Sequence, residues 1–186
     1  MSKRNYYDRT QVIYTVGERM RRGEIKCALC NGPLKVHGSY SRKVIDEEGK
    51  RQNGWITQGC CAVCKKYPAL LPDFIMPYKH YETAVVERSI WRAYEEKDQG
   101  LSECPADEST IRRWLSQFHE RGTAAAGSLR AILFRVRDRY ISILDILNMS
   151  LMKQLAYLAR AISANEICSV IGRVNGILTG YNSGFL

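Results

Sequence analysis

The chain carries two cysteine doublets, Cys27-Ala28-Leu29-Cys30 and Cys61-Ala62-Val63-Cys64, and no other feature limits its folding as sharply. A two-residue gap lets one tight turn present two sulfurs to a single ion. Zinc prefers four tetrahedral thiolate or imidazole ligands. Two such turns brought together by a hairpin make a zinc ribbon, with Cys27, Cys30, Cys61 and Cys64 as the ligands. A thioredoxin-like redox pair would need a βαβ setting that is missing around either doublet. Two disulfides would need an oxidising compartment. Four thiolates leave no open position for water, so the zinc is expected to be structural. A ribbon this small has little core, and apparent zinc binding energies in small modules run to about 10–16 kcal/mol.

The residues between the doublets fit this reading. Asn31-Gly32 suit a tight knuckle. LKVHGSYSRKVID and RQNGWITQG mix β-formers with polar residues, and the turn chemistry of Asp46 through Gly49 joins them into a hairpin. Cys60 is a spare: it is expected to pack as a small hydrophobe, or to replace Cys61 if the knuckle is irregular. Cys104 and Cys168 are expected to be structural, and His37 is the nearest additional ligand candidate.

Composition bounds the rest. The apolar fraction of 45% supports a core, and the formal net charge of +9 suits a polyanionic partner. No apolar run approaches the roughly 18 to 20 residues that cross a bilayer. The opening MSKRNYYDRTQ lacks the apolar stretch of a secretory signal. The expected compartment is the cytoplasm, with no membrane association.

Four zones follow. Residues 1–26 form a basic segment with a short helix marked by Val12, Val16 and Met20, and residues 27–72 form the ribbon. Residues 78–122 read as two helices around a break near Gly100 and Pro105. The first helix has its apolar face at Val85, Val86, Ile90 and Trp91. The second, capped by Asp107 or Ser109, has its face at Ile111, Trp114, Leu115 and Phe118. Residues 128–186 read as further helices, broken near Asn148, with a frayed tail. A helix, a turn and a capped helix bearing arginines is the shape of a helix-turn-helix. Its second helix would place Ser109, Thr110, Arg112 and Arg113 against double-stranded DNA, since arginine reads guanine and hydroxyls contact phosphate. Lys79, within Tyr78-Lys79-His80-Tyr81, is a further contact candidate, although the favoured reading of this tetrapeptide is an anchor for the connection between modules.

CALCNGPLKVHGSY, CAVCKKYPALLPDFIMPYKHY and CPADESTIRRW together resemble an uncharacterised family of small bacterial proteins. Its members combine a transposase-type zinc ribbon with a helix-turn-helix and tend to be linked with mobile elements. The resemblance covers roughly residues 25–120. It implies the same four cysteine ligands, a reading helix over residues 109–114, and no settled activity. Pro68 stands near the place where the family's second knuckle commonly carries a histidine.

The expected fold class is therefore α+β and mostly helical: a small β zinc ribbon, then a helix-turn-helix, then C-terminal helices. Phosphoryl transfer would need carboxylates converging on two metal ions. The acids here fall mostly in surface clusters (Asp46-Glu47-Glu48, Glu95-Glu96, Asp107-Glu108), with Asp138, Asp145 and Glu166 scattered beyond them. The expected role is non-catalytic DNA binding, as a regulator or an accessory of a mobile element. Two alternatives use other surfaces. One is an adaptor whose ribbon docks on another polypeptide and whose apolar residues from Leu144 to Leu178 bind a partner helix or a second copy. The other is an RNA binder that stacks bases on Trp55 and Tyr40.

Overall fold

The computed structural model describes residues 8–72, 74–96, 104–137, 142–162 and 169–180. The architecture is mostly helical α+β, with one small antiparallel sheet. Helix α1 (Arg9–Arg21) starts at Asp8, whose carboxylate accepts the Gln11 N–H at 3.0 Å. It stops where Gly23 takes φ +71°, a left-handed conformation that costs glycine nothing. Its stripe of Val12, Val16 and Met20 is buried against Leu34, Cys27 and Cys61, so the helix roofs the ribbon.

Strands β1 (Leu34–Ile45) and β2 (Arg51–Cys61) pair antiparallel, with Leu34 opposite Cys61 and Ile45 opposite Arg51. A register shift between Val36 and Gly38 leaves His37 bulged. Strand β3 (Ala69–Leu70) pairs with β2 at Thr57 and Gln58. The hairpin turn forms over the residues expected. Asp46 is buried there and accepts the Glu48 and Lys50 N–H groups at 3.1 and 2.8 Å and the Gln52 amide at 2.6 Å. Burial disfavours its carboxylate, but these bonds outweigh it and hold the pKa below the usual value. Gly49 completes the turn at φ +76°.

The turn end of this hairpin rests on the helical part. Ile45 N–H donates to the His80 carbonyl at 2.7 Å, Glu82 N–H donates to the Ile45 carbonyl at 2.9 Å, and Arg88 pairs with Glu47 at 3.2 Å. Helix α2 (Thr83–Trp91) runs on into a π-helical turn over Arg92–Glu96. Helix α3 (Glu108–Arg137) is the backbone of the core, with Trp114, Phe118, Leu129 and Leu133 at 0–1% exposure. The short α4 (Ile143–Ile146), α5 (Leu151–Ile162) and α6 (Val170–Gly180) complete the layer. Glu87 on α2 fixes the start of α6 by accepting from Ser169 Oγ at 2.5 Å and Ile171 N–H at 3.1 Å.

Several expectations change here. The helical zones drawn at 78–122 and 128–186 share α3, which runs unbroken across residues 122–128. The intervening Ala124-Ala125-Ala126 has the highest helix propensity available, and it carries the helix past Gly122 and Gly127. The break near Asn148 is real, since that residue lies between α4 and α5. Of the apolar residues between Leu144 and Leu178, Met152, Leu155, Leu158, Ile171, Val174 and Leu178 are buried within the chain's own core. Leu144 and Leu147 are exposed. Gly100, Asp138, Glu166, Cys168 and the tail lie outside the described residues.

Candidate functional site

The two cysteine turns are built alike. Asn31 N–H donates to the Cys27 carbonyl at 2.8 Å, and Lys65 N–H donates to the Cys61 carbonyl at 3.2 Å. Cys27 N–H then donates to the Gly32 carbonyl, and Cys61 N–H to the Lys66 carbonyl, each at 2.9 Å. The residue after each doublet, Asn31 and Lys65, takes φ +57° and +58°. Asparagine visits that region readily, whereas lysine does not, so the second knuckle gives no obvious signal in sequence.

These turns bring the sulfurs of Cys27, Cys30, Cys61 and Cys64 within 4.8 Å of one another. Cys27 Sγ lies 3.6 Å from Cys64 Sγ, and Cys30 Sγ lies 3.4 Å from Cys61 Sγ. Four sulfurs at about 2.3 Å from one ion are spaced roughly 3.8 Å apart, so the set fits a single metal ion. Disulfide sulfurs stand about 2.05 Å apart, and none of these contacts is so short. Cys27 and Cys61 are buried while Cys30 is exposed, so the ion would sit at the ribbon's edge. N–H groups of Cys64 and Val63 aim at the Cys61 sulfur and bring its pKa well below the thiol value. The Lys66 N–H favours the Cys64 thiolate, but burial and the three neighbouring sulfurs outweigh it and push that pKa up. One thiolate discourages the next, and a divalent cation removes that conflict.

Cys60 stands outside the set, half-buried, with its sulfur 3.9 Å from the Cys61 carbonyl oxygen. His37 does not join it either, because its bulged ring packs 4.6 Å from the Tyr67 ring. Trp55 is half-buried beneath α1, with the Arg9 guanidinium 5.1 Å from its ring centre, so of the two aromatic platforms only Tyr40 is open.

A second assembly lies where the ribbon meets the helices. Lys79 donates to Gln117 on α3, one turn from Arg113 and one turn from Arg121. Burial, then the charges of Arg113 and Arg121, hold the Lys79 pKa below its ordinary value. Arg42 on β1 donates to the Lys79 carbonyl and ties the loop to the sheet. Tyr81 turns inward and meets the Trp114 ring edge-on at 5.1 Å, whereas Tyr78 is 96% exposed. Tyr81 is thus the anchor of that tetrapeptide, and Lys79 belongs to a basic surface.

The α3 residues separate into two rows. Arg113, Gln117 and Arg121 follow one another at four-residue steps beside Lys79, and Ser109 lies one turn before them. Arg112 lies on another face and pairs with Glu108, while Ser116 donates to Glu120 at 3.1 Å one turn on. Asp107 is the cap. It accepts from Ser109 Oγ at 2.6 Å, Thr110 N–H at 2.8 Å and Thr110 Oγ1 at 2.9 Å, which together lower its pKa to about 2. The hydroxyls of Ser109 and Thr110 are therefore engaged in capping. Sequence reasoning singled out Arg113 and Lys79 but passed over Gln117 and Arg121. The four-residue periodicity of that row was the signal available for them.

Comparison with known families adds one finding. Residues 27–114 match the family described as Domain of unknown function (DUF6431). The match covers just under half of the chain, from the first metal-fitting cysteine to Trp114 on α3. It falls inside the segment that resembled an uncharacterised family, and its description carries no activity. Neither curated proteins nor solved structures gave a significant match to the chain. Among the described residues, no helix is long and apolar enough to cross a membrane.

Proposed function

We propose that this protein is a non-catalytic DNA-binding module in which a structural zinc ribbon buttresses a helix-turn-helix-like pair, α2 and α3. It acts as a regulator or as an accessory of a mobile genetic element. The observation that carries this reading is the meeting of Lys79 with the Arg113–Gln117–Arg121 row of α3. Burial first, and then the like charges of Arg113 and Arg121, lower the Lys79 pKa there, and the negative charge of a phosphate backbone would relieve that repulsion. Among the described residues Arg113 has no acidic partner, in contrast to Arg112 with Glu108. The net charge of +9 supports the same partner. Zinc is the proposed ion because four thiolates at this spacing suit it. Four thiolates would fill its coordination shell and leave no open position for water, which supports a structural role over a reaction centre.

Binding of a labelled duplex across a salt series tests the reading. Affinity should fall log-linearly with salt, at a slope of about −0.9 per phosphate contacted. Arg113→Ala should flatten that slope by about 1, while Arg112→Ala leaves it nearly unchanged and neither shifts the thermal midpoint. Absence of duplex binding at low salt, or equal effects of the two substitutions, would refute it.

A further inference from the structure

Tyr78 is the most exposed of the large hydrophobic residues described. Its ring is 96% exposed, and its backbone takes φ +59°, a region that tyrosine rarely occupies. Such a conformation persists only where surrounding structure imposes it. Here the hydrogen bonds that impose it are visible on both sides. Lys79 N–H donates to the Met76 carbonyl at 3.4 Å, Arg42 donates to the Lys79 carbonyl, and Ile45 N–H donates to the His80 carbonyl at 2.7 Å. Tyr81, three residues on, is locked against Trp114. The loop is therefore a fixed mount that holds one aromatic ring out in solvent and turns the next side chain, Lys79, toward Gln117 and the arginines of α3.

A ring beside cations is what a nucleotide with an unstacked base requires: a face to stack on, and positive charge for the adjoining phosphate. In a continuous duplex every base face is already covered by its neighbours. We propose that Tyr78 stacks on an unpaired base while Lys79, Arg113 and Arg121 hold the adjacent phosphates, so that the protein prefers DNA at a double-strand to single-strand junction over an uninterrupted duplex. The proposal rests on the DNA-binding reading and adds the form of DNA to it. Pre-organisation favours this role, because the ring loses little freedom on contact.

The test compares a blunt duplex with the same duplex carrying a short single-stranded overhang whose first unpaired base is 2-aminopurine. The full-length protein should bind the overhang form about ten-fold more tightly, and quench the 2-aminopurine fluorescence as its ring stacks. Tyr78→Phe should keep both effects. Tyr78→Gly, which relieves the left-handed backbone and so leaves the fold intact, should lose both while retaining the blunt-duplex affinity and its salt slope. Equal affinity for the two forms, or a preference that survives Tyr78→Gly, overturns the proposal and leaves duplex binding standing. Binding to neither form at low salt overturns both. Tighter binding of a single-stranded RNA than of the overhang DNA also overturns it, in favour of RNA.

Discussion

The ribbon and the helical core are stabilised by different means. Around α1 the ribbon buries six residues in one cluster, and two of them, Cys27 and Cys61, belong to the sulfur set. The helical part buries its large side chains on α2, α3, α5 and α6 in one continuous cluster, with Trp114 and Phe118 at its centre. Apolar burial at about 25 cal/mol per Å2 can sustain the second cluster, whereas the ribbon has only its small cluster and the trio Val44, Ile56 and Ile75, so the proposed ion would contribute much of its stability. Each region is thereby exposed to a different kind of damage, although hydrogen bonds through Ile45, His80 and Glu82 join them.

Removing the ion should have the largest effect. Cys61→Ser, or chelation of the native protein, is expected to forfeit a binding energy on the order of 10 kcal/mol and unfold the ribbon. Mass spectrometry should show loss of bound metal, and proteolysis should open within residues 27–70 while far-UV circular dichroism keeps most of the helical signal. Simultaneous loss of the helices would mean that the two regions are one cooperative unit. The converse substitution is Trp114→Ala. It should lower the stability of the helical part by about 3–5 kcal/mol, because a fully buried indole leaves a cavity that its neighbours cannot fill. Metal content should not change, and a fall in it would again contradict the division.

Acid should separate the regions in sequence. Metal binding competes with protons on sulfur and weakens as pH falls. Asp107 has its folded pKa lowered to about 2 by the Ser109 and Thr110 bonds, so its contribution to α3 is complete above the unfolded value near ~3.9. That contribution is lost only as pH falls toward 2. A titration that follows metal release and helicity together should therefore show metal leaving first. Coincident transitions would count against the cap.

The ribbon was legible because its determinants are local: two doublets, the Asn31-Gly32 knuckle and the Asp46–Gly49 turn each act within a few residues. The amphipathic stripes of α1 and α2 were legible for the same reason. What escaped was either a local feature without a distinct sequence pattern or a product of packing. Asp8 as a cap follows a segment with little apolar pattern, and the π-helical turn after Trp91 has no sequence signature. The basic row was only half visible, since Lys79 and Gln117 are brought together by the docking of the hairpin on α2 and not by periodicity. The unbroken α3 was missed because the helical zones were drawn apart between residues 122 and 128, at two glycines whose surroundings in the fold differ.

That difference supplies the smallest effect and the finest test. A methyl group at Gly127 would meet nothing within 4 Å, so Gly127→Ala should stabilise α3 by about 0.5–1 kcal/mol through helix propensity alone. At Gly122 the added carbon would stand 2.4 Å from Leu151 Cδ2 and 3.1 Å from its Cγ. Leu151 opens α5, so it must shift where the two helices approach. Overpacking of about 1–3 kcal/mol should exceed the propensity gain. Thermal melts of the two variants should move in opposite directions. Equal stabilisation would mean that α5 is free to yield, and that the helical part is less tightly packed than its buried side chains indicate.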